Sequence, residues 1–335
     1  MISDAVTTHR LGFAVKVLGE GGLPSHDTRR WQSGPHLSHS LERLRAILDY
    51  LERHDIRMYR LPTALAPYAS HPELTQFHSQ IEECASELAE VGALARERDV
   101  RLSTHPGQYT VLNSERVEVR AAAVAELESQ AALLDAMGLG EEAVVVLHVG
   151  SAIGGVAASL DRFLAGFELL SDAARARLGI ENDDRSFGLA DVLVLAERAG
   201  LRVVWDALHH RCHDPAGIPD DEALASALAT WDDGAVPKIH YSSPRLDVEQ
   251  RRVRSGRRVE RQLVLPQLRA HADLIDPIGF ERFLRDAAGE RDFDVMLEAK
   301  AKDLALLRLR DQLGERGLVF ERGRVCVPRP SRGSG

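Results

Sequence analysis

Cysteine is nearly absent from this chain: Cys84, Cys212 and Cys326 are odd in number, widely scattered and form no CxxC pair. A disulfide framework is therefore not expected, and a reducing, cytoplasmic setting is. No apolar run approaches the roughly 20 residues of a membrane helix. Residues 1–10 lack the apolar core of a secretion signal, so neither export nor a membrane partner is expected. No glycine-rich phosphate turn follows the first strand-like run, which argues against a doubly wound dinucleotide-binding sheet. Nor does any linker divide the chain in two. The net charge of −9 argues against a general nucleic-acid coat protein but leaves room for a locally basic face.

What the chain has in quantity is alternation. Strand-like runs at 11–17, 56–61, 101–105, 143–148, 178–181, 203–205, 238–241 and 293–298 alternate with helical spacing at 38–54, 73–98, 115–137, 156–178, 188–200, 220–230, 277–288 and 302–316. Eight such repeats predict an α/β fold of the (β/α)₈ type, a TIM barrel. A single domain is expected over 10–316, with an arginine-rich insertion after the seventh strand and a flexible Arg/Pro/Gly-rich tail over 317–335.

Histidine is the second excess, with fourteen residues. In a barrel of this kind the reactive groups sit at the C-terminal ends of the strands. From the third strand to the eighth, those ends read His105, His148, Glu181, Asp206, His240 and Glu298. His209 follows the sixth strand within a turn, and His271 lies late in the segment after the seventh. Imidazoles and carboxylates packed this closely suit divalent transition metals better than calcium or magnesium. Taken singly, each has another reading: Asp206 as a helix N-cap, a strand-end histidine as a hydrogen-bonded structural residue, Lys238 as a salt-bridge partner. Together they converge on one mouth. Several ions there would lower the pKa of bound water and clamp attacking and leaving oxygens, which is what phosphodiester hydrolysis needs.

Seven motifs carry a resemblance: Ser70-His71-Pro72, His105-Pro106-Gly107-Gln108-Tyr109, Leu147-His148, Glu181-Asn182-Asp183, Asp206-Ala207-Leu208-His209-His210, Pro237-Lys238-Ile239-His240 and Leu297-Glu298-Ala299-Lys300. With them the chain resembles the UV damage endonucleases, TIM barrels related to the apurinic endonuclease IV class. The resemblance implies that His105, His148 and Glu181 hold one metal. Glu181, Asp206, His240 and Glu298 would hold a second, and His209 with His271 a third. The ions are commonly manganese, up to three. It further implies catalytic roles for Glu181, Asp206, Lys238 and Glu298, the lysine being one that the family can carboxylate.

The partner implied is double-stranded DNA carrying UV lesions, cut immediately 5′ to a photoproduct to leave a 3′-hydroxyl and a 5′-phosphate by an enzyme acting as a monomer. Gln108 and Tyr109 match the family's probe of the lesion, and His71 also lies on the DNA side. Phe13 stands where the family usually has tyrosine, as part of the same wedge or else as a core residue. Lys16 also departs from the family's neutral polar residue. Residues 242–270 carry eight arginines against three acids, a net +5, and are either a phosphate-binding segment or a solvated surface hairpin. Two other functions compete. A sugar isomerase or epimerase would use Glu181, Asp206, His240 and Glu298 but leave His105, His148, His209 and His271 idle. A non-cleaving barrel that binds damaged DNA would need a ligand to be missing, and none is.

Overall fold

The computed structural model describes residues 6–256 and 258–329. Arg257 and positions 330–335 of the expected tail lie outside the described residues.

Eight parallel strands form the barrel: β1 (Val6–Ala14), β2 (Met58–Arg60), β3 (Arg101–Ser103), β4 (Val145–His148), β5 (Leu178–Glu181), β6 (Arg202–Val204), β7 (Lys238–Tyr241) and, after a two-stranded excursion, β10 (Asp294–Leu297). Ladders join β10–β1–β2–β3, β4–β5–β6 and β7–β10. Single parallel bridges, Thr104 to Val145 and Asp206 to His240, close the two remaining seams. The excursion is an antiparallel ribbon of β8 (Glu249–Ser255) and β9 (Arg258–Val264), placed after β7 in the arginine-rich segment. The chain ends in β11 (Val319–Glu321) and β12 (Arg324–Pro328).

The helices form where apolar residues recur every three or four positions. In Leu37–Arg53, Leu37, Leu41, Leu44, Ile47, Leu48 and Leu51 are all buried against the barrel. Leu189–Ala199 starts where the Asp191 carboxylate accepts the Gly188 N–H at 3.0 Å and ends at Gly200 with φ +64°, a left-handed stop that favours glycine.

Three boundaries differ from the sequence expectation. The first strand runs Val6–Ala14 rather than 11–17, because Val15 turns to φ +66° and leaves the ladder. The helix expected over 73–98 is broken into Thr75–Phe77, Gln80–Glu83 and Ala85–Glu97. The buried Gln80 side chain is committed there to the Leu37 N–H and to the Pro67 and Phe77 carbonyls. Within the expected flexible tail, β12 pairs antiparallel with β1 over Val6–Arg10, with Val325 and Val327 fully buried. An alternating Val-Cys-Val is strand patterning that the flanking Arg and Pro obscure.

Strand alternation then decides what points into the barrel. At its base, Arg101 and Asp294 are buried and paired at 2.9 Å. Above them, Lys238 donates to Ser103 Oγ at 2.9 Å, and Ala14, Met58 and Met296 pack together. Gly12 leaves room for that layer, since a Cβ there would lie 2.6 Å from Met58 Cγ. The top layer is the polar mouth.

Candidate metal centre

Parallel strands end on the same rim, so residues far apart in sequence meet there. Glu181, at the end of β5, is the hub. Its Oε2 lies 2.9 Å from His105 Nε2 and 3.6 Å from His148 Nε2. Its Oε1 lies 2.8 Å from His240 Nδ1 and 3.5 Å from His209 Nδ1. Glu298 sits 3.6 Å from both His240 Nδ1 and His271 Nδ1 and is ion-paired with Arg60. Among the described residues, three groups have donor atoms close enough to share an ion: His105–His148–Glu181, Glu181–Asp206–His209 and Asp206–His240–Glu298. The first reproduces the expected set. In the others Asp206 stands between two groups, and His209 joins Glu181 and Asp206 rather than His271 alone, although the His209 and His271 rings remain 6.0 Å apart.

The donor set fits cations. Asp206 Oδ2 and His240 Nε2 are buried and have no hydrogen-bond partner among the described residues, a costly state for polar atoms unless something binds them. His105 Nδ1 lies 3.1 Å from the Pro106 carbonyl and its Nε2 2.9 Å from Glu181 Oε2, so an ion taking the place of a proton on Nε2 would leave the Nδ1–H held by that carbonyl.

Burial and charge pull the titrations apart. Burial raises the Glu181 carboxyl, but His240, His148 and His105 outweigh it and hold the group well below the usual carboxylate range. Glu298 is likewise held low against burial, by Arg60 and His240. Asp206 is pushed up to about 7, by burial first and then by Glu181 and Glu298 against the pull of His209. Burial opposes a charge on His209, yet Asp206, Glu181 and Glu298 carry it up to about 9. Burial depresses His240 to about 4 and lowers His105 and His271. Asp206 and His209 are both raised by the neighbouring Glu181 and Glu298, a crowding of buried carboxylates that divalent cations would relieve.

Other expected residues fall in different places. Lys238 is not at a strand end: it opens β7, one layer below the cluster, where burial and then Arg60 and Arg101 push its ammonium well below the usual lysine range. His210 turns away, its Nε2 donating to the Ile218 carbonyl at 2.8 Å. Phe13 does not reach the mouth. Gly12 and Ala14 take the inward phase of β1, so Phe13 faces outward into the core, fully buried and edge-on to Tyr59 at 5.4 Å; of the two readings the core one holds. Gln108 and Tyr109 are exposed on the loop after β3, Tyr109 by 84%. That loop stands between two cavities. One of about 460 Å³ is lined by Gln108, His148, Asp183 and His209; the other, of about 410 Å³, by Tyr109, His71 and Tyr68.

Sequence reasoning missed Arg60 because only His, Asp and Glu were sought at strand ends. It also missed Asn182, which lies inside a quoted motif; its amide accepts the Asp206 N–H at 2.9 Å and donates to the Asp206 carbonyl at 3.1 Å, fixing that ligand's backbone.

Comparison with known proteins agrees with this geometry. The family model described as "UV-endonuclease UvdE" matches residues 36–325. A protein named UV DNA damage endonuclease from Bacillus velezensis is 34% identical over 79% of this chain and 78% of its own. One of the same name from Bacillus cereus is 31% identical over 82% and 80%. The crystal structure of SacUVDE is 32% identical, with a TM-score of 0.77 over 92% of this chain and 99% of that one. A D-tagatose 3-epimerase-like protein, at 14% identity and a TM-score of 0.53, covers 91% of this chain and 96% of its own, a likeness of fold alone. This chain is an enzyme of the UV-endonuclease UvdE family.

Proposed function

We propose that the protein repairs UV-damaged duplex DNA by hydrolysing the phosphodiester backbone immediately 5′ to a photoproduct, leaving a 3′-hydroxyl and a 5′-phosphate. The observation that carries this reading is the rim of His105, His148, Glu181, Asp206, His209, His240 and Glu298, where ligand atoms of three overlapping groups lie close enough to share ions. Up to three divalent ions, manganese in the first instance, would be held by the three groups, His271 completing the outermost. Such ions would supply an activated water and clamp the attacking and leaving oxygens. Glu181 and Glu298 stay ionised to receive them, and Arg60 holds Glu298 in place. Asp206, divided between two groups, spans them. Burial shifts Lys238 towards the neutral amine that the carboxylation implied by the family resemblance requires.

Lesion choice rests on the loop between the two cavities. A photodimer stacks and pairs poorly, so extruding it costs less than the few kcal/mol of a normal step. Gln108 and Tyr109 fill the gap left in the duplex, and His71 lines the cavity on the Tyr109 side. The barrel together with its β11–β12 strands acts as one unit, as a monomer in the cytoplasm.

The test is nicking of supercoiled plasmid, irradiated or not, with manganese and with chelator. Metal-dependent nicking confined to irradiated DNA is expected, with ends that a polymerase extends without processing. Cutting only at abasic sites, or none in any metal, would overturn the reading.

A further inference from the structure

We infer that the β8–β9 ribbon is an arm that grips the sugar–phosphate backbone of the duplex beside the lesion. This inference rests on the DNA substrate proposed above.

The ribbon is rooted at the mouth. Ala272 N donates to the Ser243 carbonyl at 2.9 Å and Arg245 N to the Ala270 carbonyl at 2.7 Å, so His271 of the cluster lies in the root itself. Arg269 reaches Asp184, on the loop after β5, at 3.4 Å. Beyond the root the ribbon leaves the body of the protein. Among the described residues no other strand pairs with either edge, and every described side chain from Gln250 to Leu263 is exposed, on both faces. Seven-residue strands reach about 23 Å at ~3.3 Å per residue.

Its charge placement makes little sense in water. Register sets Arg252 directly opposite Arg261, and Arg254 follows two residues along on the same face. Like charges so opposed destabilise an isolated two-stranded ribbon, which is marginal to begin with. A polyanion removes the repulsion. Positions two residues apart on one strand lie about 6.6 Å from each other along the backbone, a step comparable to that between successive phosphates. Charge is also segregated along the chain: 242–270 carries a net +5 while the whole chain is −9, leaving −14 elsewhere. Duplex DNA drawn to the mouth by its lesion would therefore meet a body of net negative charge, with this arm as its concentrated positive segment. A two-stranded ribbon also has a width that a DNA groove admits.

The experiment compares wild type with the triple variant Arg252→Gln, Arg254→Gln, Arg261→Gln and with the matching triple Arg→Lys variant. Anisotropy of a labelled undamaged duplex is measured across a salt series with chelator-treated protein. The Gln variant should lower the slope of log affinity against log salt by about 2.7, three contacts at ~0.9 each. The Lys variant should keep the wild-type slope. Metal content and melting temperature of both should match wild type. An unchanged slope in the Gln variant, while wild type still nicks irradiated plasmid, overturns the arm and leaves the proposed function standing. Failure of wild type itself to nick overturns the function instead. A wild-type dimer that the Gln variant dissolves, with no change in slope, would make a second copy of the chain the occupant and also overturns the arm.

Discussion

Asp206→Asn should stabilise the metal-free protein while abolishing incision. The Asp206 carboxyl rises from 3.8 to about 7, chiefly through burial. Three units at ~1.36 kcal/mol each make its ionisation in the fold costly by about 4 kcal/mol, a ceiling that water entering the mouth lowers. The folded state binds this proton more tightly than the unfolded one. Its favourable contribution is therefore complete below about pH 4 and is lost as pH rises through about 7. Asparagine carries no such charge, so its advantage should grow from near zero around pH 4 to as much as ~4 kcal/mol around pH 8. The amide oxygen can still accept the His209 N–H, now 2.7 Å from Asp206 Oδ1, so the helix cap at Ala207–Cys212 survives. Urea unfolding of chelator-treated wild type and variant across that pH range measures the difference, and plasmid nicking with manganese measures the loss. A variant less stable than wild type at alkaline pH, or a gain that does not change with pH, would refute the electrostatic account of the mouth.

Three further perturbations separate the layers of the molecule. Asp294→Ala should cost about 3–5 kcal/mol in urea unfolding, because Arg101, paired to it at 2.9 Å and buried, is left uncompensated; nicking per folded molecule should not change, and a loss below 1 kcal/mol would mean that the base of the barrel admits water. Gly92→Ala should destabilise by at least about 1–3 kcal/mol, since its Cβ would fall 1.8 Å from the Met137 carbonyl oxygen and must push apart Ala85–Glu97 and Val117–Ala136. Replacing Gln108 and Tyr109 together by alanine should narrow the ratio of irradiated to undamaged cutting without changing bound metal; an unaltered ratio would remove the loop from lesion choice.

Sequence alone determined the barrel and most of the mouth. Alternation of strand and helix periods is local, and parallel closure sends every strand end to one rim, so reading strand ends finds His105, His148, Glu181, Asp206, His240 and Glu298 without knowing a single distance. Tertiary structure decided what depends on phase and on distant partners. Phe13 and Gly12 are equally apolar neighbours, and only the shape of the layer shared with Met58 settles which of them points inward. Arg60 became part of the centre through Glu298, 238 residues away. The helix expected around Gln80 is broken where the Gln80 side-chain amide oxygen accepts the Leu37 N–H, a partner 43 residues away. Residues 319–328 became strands because β1 offered an open edge. Asp206 acquired its raised pKa only when closure buried it beside two other carboxylates. Periodicity fixes which residues can share a face, but closure of the chain on itself fixes what they meet there.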